Sequence, residues 1–117
     1  MKIATISFVF TLLCYTAFAQ EKVEVRIIST IEQSTSLGRS RLLTQDKSGR
    51  LLELGLDNFE GIGGIKVGNI DANNRTISAK IAEMYMDGWE LSQAVATVAE
   101  LRTFTRYIFI RKKITTP

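Results

Sequence analysis

From Val23 to Glu32 the chain alternates between two kinds of residue. Val23, Val25, Ile27 and Ile31 fall on one set of alternate positions, and Glu24, Arg26, Thr30 and Glu32 on the other. Period-two patterning in a β-branched run predicts a strand with one face buried and one wet; the aliphatic set is expected to be the buried one. Two leucine-rich runs follow, Arg41–Thr44 and Arg50–Leu54, separated by Asp46-Lys47-Ser48-Gly49. Asp and Gly are turn formers, Gly because it accepts positive φ, so this stretch predicts a hairpin. Four of the eight glycines then lie between Gly61 and Gly68, which reads as a flexible loop or bulged hairpin, with Ile65-Lys66-Val67 as a short strand.

The period changes after Asp71. Ile77, Ile81, Met84 and Tyr85 recur at helical spacing, predicting an amphipathic helix over Arg75–Asp87 with Asn73 or Asn74 as its N-cap. Gly88 is placed to end it. With Gly88 at C′, Met84 is C3 and Trp89, the sole tryptophan, is C″, the two positions whose side chains meet in a Schellman ending. Period two then returns. Trp89, Leu91 and Val95 are expected on one strand face, with Gln93 interrupting it, and "ATVAELRTF" reads as an irregular link. Phe104 to Lys112 forms the last strand. Tyr107, Ile108, Phe109 and Ile110 are apolar at both parities, which predicts an interior strand covered by the helix on one side. The order β-β-β-α-β-β predicts an α+β fold: an antiparallel sheet of four to five strands with one amphipathic helix packed on one face.

The first nineteen residues stand apart. Lys2 precedes an almost wholly apolar run, and Ala17-Phe18-Ala19 has the small-x-small pattern of a signal-peptidase site. The expectation is a signal peptide at 1–19, an exported single domain at 20–117 in the periplasm or outside the cell, and no transmembrane segment after cleavage. Cys14 is the only cysteine; lipidation there is the alternative to cleavage after Ala19, but Leu13 fits a lipid-attachment site poorly. The chain carries 15 basic and 12 acidic residues and no histidine; loss of Lys2 with the leader leaves a net charge of +2. So mild a balance favours no nucleic-acid partner.

The remaining residues limit the chemistry. Without His, and without Cys beyond the leader, neither a Ser-His-Asp triad, a thiol nucleophile nor a Cys/His zinc site can form. "GIGGIKVGN" lacks the Lys-Ser/Thr that a phosphate loop requires, so no cofactor is expected. No segment supplies the ligand spacing of a calcium loop, so no metal is expected either. Carboxylates remain: Asp57, Glu60, Asp71, Glu83, Asp87 and Glu90. They leave a small carboxylate-dependent hydrolase as an alternative. Arg106, Arg111, Lys112 and Lys113, close to Tyr107 and Phe109, form a candidate patch for an anionic partner.

Ile81, Met84, Gly88, Trp89, Glu90 and Leu91, followed by Tyr107, Phe109, Arg111 and Lys112, carry a resemblance. This helix, Gly-Trp-Glu-Leu turn and aromatic strand with a basic end resembles a family of small exported bacterial proteins known only as a domain of unknown function, and the "AFAQ" leader ending is similar to exported Bacteroidota proteins. The first half of the chain matches that pattern poorly, and Ser92 and the glycine-rich insert depart from it. The resemblance implies a fold and no activity. The resulting expectation is a non-catalytic binding module with a protein or envelope partner. A carboxylate hydrolase and a self-assembling envelope protein are the alternatives. Gly88, Trp89, Met84 and Leu91 are read as structural.

Overall fold

A computed structural model of the chain describes residues 20–34 and 38–115. The leader expectation and Cys14 lie outside them. The order is β1 (Gln20–Gln33), β2 (Arg41–Gln45), β3 (Leu51–Gly55), β4 (Glu60–Gly61), β5 (Gly64–Ile65), α1 (Val67–Met86), β6 (Glu90–Ala99) and β7 (Arg102–Thr115). One five-stranded sheet has the order β3-β2-β1-β7-β6, and β4 and β5 pair by themselves. The pairs β1–β2, β2–β3 and β6–β7 are antiparallel, so the fold is α+β, an antiparallel sheet with one helix among the described residues. The backbone falls into two compact units. Val25–Arg111 holds the core and is described here. The other, Met1–Glu24 with Lys112–Pro117, is represented among the described residues by the start of β1 and the end of β7, where Val23, Lys112 and Lys113 are exposed.

The core is one cluster: Ile28, Leu42, Ile77, Met84, Trp89 and Phe109, with Leu56, Ile81 and Tyr107 partly buried against it. Its members define a core face of the sheet. On β1 that face carries Arg26, Ile28, Thr30 and Glu32, because side chains alternate and Ile28 and Thr30 are fully buried. The sequence expectation for β1 is therefore reversed. Val25 and Ile27, the supposed buried set, are 60% and 40% exposed on the opposite face. Alternation fixes which residues share a face, and here the core took the set containing a single aliphatic residue, Ile28.

The hairpin forms as expected, with Gln45 opposite Leu51. Asp46 organises its turn. One carboxylate oxygen accepts from the Ser48 and Arg50 amides, each at 2.9 Å, and from the Ser48 hydroxyl at 2.6 Å, while Gly49 takes φ +86°. These bonds to the charged form hold the Asp46 carboxyl below the ordinary carboxylate range.

The helix departs from expectation at its start. It begins at Val67 rather than Arg75, so Asn73 and Asn74 are interior and cap nothing; Lys66 holds the N-cap position and makes no side-chain cap bond. The β5 pairing takes Gly64 and Ile65, and Val67 belongs to the helix. Asn is a poor helix former, but here tertiary bonds override propensity. The Asn69 amide donates to the Asn58 carbonyl at 2.8 Å. The Asn73 side chain accepts from the Asp57 N–H at 2.8 Å and donates to the Asp57 carbonyl at 2.7 Å. Asn73 is thus the polar head of the buried stripe that continues with Ile77 and Met84.

Beyond the helix, β6 runs unbroken to Ala99, and the expected irregular link is a two-residue turn at Glu100 and Leu101. Glu100 takes φ 54°, a conformation that usually selects glycine. Leu91 pairs with Phe109 but Gln93 pairs with Ile108, so Ser92 is an extra residue in a β-bulge. The bulge corrects a second expectation. Leu91 lies on the Phe109 face, whereas Val95, opposite Arg106, lies on the other. β7 is interior, flanked by β1 and β6, as expected.

Candidate functional site

Four places in the Val25–Arg111 unit bring chemistry together. The first surrounds Trp89. The helix ends with both Schellman bonds: the Trp89 N–H donates to the Met84 carbonyl at 3.0 Å and the Gly88 N–H to the Tyr85 carbonyl at 3.1 Å, with Gly88 at φ +86°. Met84 and Trp89 are both buried in the core cluster. Two guanidinium groups stack on the indole, Arg26 at 4.8 Å and Arg111 at 4.5 Å from the ring centroid. Arg111 also donates to the Asp87 carbonyl at 3.0 Å and pairs with its carboxylate at 3.6 Å, while the indole N–H donates to Asp87 Oδ2 at 3.4 Å. Tyr85 sets its ring edge-on to Phe109, 6.3 Å between centroids, and its hydroxyl accepts from the Leu91 N–H. Trp89 is 2% exposed. The buried indole is already stacked with two cations, and the cluster closes the helix ahead of the start of β6.

The second place is a groove of about 480 Å³ lined by Arg26, Asp46, Leu52, Lys80, Glu83 and Asp87, among others. It collects three carboxylates, two of them among the candidates named above. Each is committed. Lys80 pairs with both oxygens of Glu83 at 3.2 Å, Asp87 serves Arg111 and Trp89, and Asp46 is tied into its turn. A glycosidase-type acid needs a carboxyl pushed up in pKa beside an ionised one. The carboxyl pushed up among the described residues is Glu32, by burial, and it lies elsewhere; burial, and after it the charge of nearby Glu32, raises the Tyr107 phenol. The other candidates are dispersed. Asp71 pairs with Arg75 at 2.8 Å, Asp57 is held through its backbone by Asn73, Glu60 lies in β4, and Glu90 opens β6 opposite Ile110. No group of three acidic, His or Cys residues among those described could hold a metal ion.

The third place is the basic strand end. Alternation divides it: Arg106 and Arg111, five residues apart, point to opposite faces of β7. Arg106 is exposed and lies over the Phe104 ring at 4.9 Å, whereas Arg111 belongs to the Trp89 cluster. Lys112 and Lys113 are exposed on the continuation of β7. Within the Val25–Arg111 unit, Arg106 and Arg111 do not form one patch.

The fourth place was missed by sequence reasoning. The face opposite the core carries Val25, Ile27 and Ile31 of β1, Leu43 of β2, Leu51 of β3, Val95 of β6, and Phe104, Ile108 and Ile110 of β7. These positions follow from the registers and from alternation. A groove of about 480 Å³ runs over Val25, Ile27, Ser29, Leu43, Leu51 and Arg106. Of the charged residues on this face, Arg41 pairs with Glu53 at 3.6 Å toward β3 and Glu90 stands at the β6 edge, while Arg106 lies within the field, opposite Val95 and in the groove. The signal that could have found it was there: β1 and β7 both carry aliphatic residues at both parities, more than one core can absorb.

Searches against protein-family models, curated proteins and solved structures return no match.

Proposed function

We propose that this chain is a non-catalytic binding module, exported by the leader pattern at 1–19, that works through the open apolar face of its sheet. In this reading α1 covers one face. That placement is supported by Ile77 and Met84 sharing one cluster with Ile28, Leu42 and Phe109. The other face is left for a protein or envelope partner. The observation that carries the reading is the aliphatic field from Leu51 through Ile27 to Ile108, in which Val25, Ile27, Leu51 and Val95 are exposed and the Arg41–Glu53 pair stands at the β3 side. Large exposed apolar patches with polar rims mark interaction surfaces. Five strands spaced ~4.8 Å apart and about seven residues long at ~3.3 Å each give a flat footprint of roughly 550 Å², on the scale of a modest interface.

The test is photo-crosslinking in the native envelope from Ile27 and Ile108, with Arg75 on the helix as control. Discrete partner bands from the sheet positions and none from the control support the reading. Glycan hydrolysis that disappears on Glu83→Ala and Glu90→Ala would replace it with the hydrolase. No observation favours a second reading.

A further inference from the structure

The two edges of the five-stranded sheet are built differently. β3, at one edge, has five residues with Glu53 at its centre and Gly55 at its end. Short length and a central charge are the usual protections of an edge. β6, at the other edge, has ten residues, every one exposed. From Leu91 to Ala99 it contains no charge and no proline. Its single bulge, at Ser92, lies near one end, which leaves Gln93–Ala99 paired to β7 in one continuous register. The outer backbone N–H and C=O groups of those seven residues are therefore presented at regular spacing with none of the usual defences.

We infer that β6 is a docking edge for a second copy of this chain, paired antiparallel through Gln93–Ala99 about a two-fold axis at Ala96. The symmetry follows from the strand. In a two-fold antiparallel pair, facing residues share a face, so their numbers sum to an even value past the bulge. Centring the regular segment on itself fixes the axis at Ala96. Gln93 then faces Ala99, Ala94 faces Val98, Val95 faces Thr97, and Ala96 faces its own copy. Each unlike pair sets a smaller or polar residue against a smaller or β-branched one, and no like charges meet within the segment. A foreign strand would need matching neutrality; a second copy has it by construction. The pairing makes a ten-stranded sheet, in which Val95 and Thr97 continue the open apolar field from one copy to the next. It does not depend on that field having a partner.

Sedimentation of the full chain over a concentration series tests this, alongside hydrogen exchange. The expected result is a monomer–dimer equilibrium in which alternate β6 amides gain protection with concentration and β3 amides do not. Ala96→Lys and Ala96→Glu should each weaken dimerisation about tenfold or more by placing like charges face to face, and an equimolar mixture of the two should restore a dimer. Ile27→Lys should leave the dimer intact. Strictly monomeric wild-type protein, a mixture that fails to re-associate, or a dimer abolished by Ile27→Lys and untouched by Ala96→Lys would each overturn the inference.

Discussion

The two faces of the sheet invert the usual relation between composition and burial. On β1 the core face carries Arg26, Ile28, Thr30 and Glu32, and the open face carries Val25, Ile27, Ser29 and Ile31. Ile28 is fully buried, yet its neighbours along β1 on that face are polar; Val25 is 60% exposed among aliphatic neighbours. Two of the polar residues around the core are satisfied there. Arg26 covers the Trp89 ring and Asn73 completes the Asp57 backbone. Burial of a polar group is sustainable when it is bonded or stacked. Among the described residues, nothing in the chain's own folding requires the open face to be apolar. An apolar face that the fold does not use is better explained by something outside it.

The sharpest way to break this comparison is to remove the anchor of the core face. Trp89→Ala takes away a 2%-exposed side chain that joins helix end, sheet and two guanidinium groups, and should cost about 3–5 kcal/mol. Chemical denaturation measures it, and a loss under about 1 kcal/mol would mean that the indole carries no packing load. Next is Asn73→Ala. It leaves the Asp57 N–H and carbonyl without their partner, and the expected loss is about 2–3 kcal/mol, read in the same titration.

A third variant should move stability upward. The Thr30 hydroxyl is fully buried and finds no hydrogen-bond partner among the described residues, so Thr30→Val should stabilise by about 1 kcal/mol. An unchanged or lower midpoint would show that the hydroxyl is satisfied.

Glu32 gives the comparison a pH dependence. Burial raises its folded pKa above the ordinary carboxylate value, so the folded state favours the protonated acid. Its contribution is complete below the unfolded pKa and is lost as pH rises through the raised folded value. Midpoints measured from about pH 4 to 7 should therefore fall less for Glu32→Gln than for the wild type. Smallest of all is the effect expected on the open face. Val25→Thr and Ile27→Thr should each stay within about 0.5 kcal/mol, since neither side chain fills the core. A loss of about 2 kcal/mol from either would place that face inside the folded unit's own packing.

Much of the scaffold was legible in the residues. The Asp46–Gly49 turn announced itself by chemistry that acts locally, an Asp accepting from amides two and four residues on. The Gly88 stop did so as well, because Met84 and Trp89 lie at the spacing that Schellman bonds require. Three things were not legible. The helix start at Val67 rests on Asn69 and Asn73 bonding to residues 58 and 57, partners distant in sequence that no local rule reveals. The bulge at Ser92 moved Val95 to the other face, because one inserted residue reverses every parity beyond it. The sign of the β1 alternation was misleading, since the core took the set with the single aliphatic residue Ile28 and left Val25 and Ile27 exposed. Of the candidate site residues, Trp89 could be read for its structural place, whereas the basic run could not be read as a patch, because strand geometry divides what sequence puts together.

One consequence of the strand order concerns time rather than energy. The first long strand and the last are neighbours in the middle of the sheet. Everything between them can take local shape, but the central seam cannot close until the C-terminal strand is free. A chain wired in this way has a long unfinished phase, and contacts between its ends are slow to find. That delay would be a liability for a protein folding beside a ribosome. Under the export proposed above, the same delay would keep the chain threadable until translocation is complete.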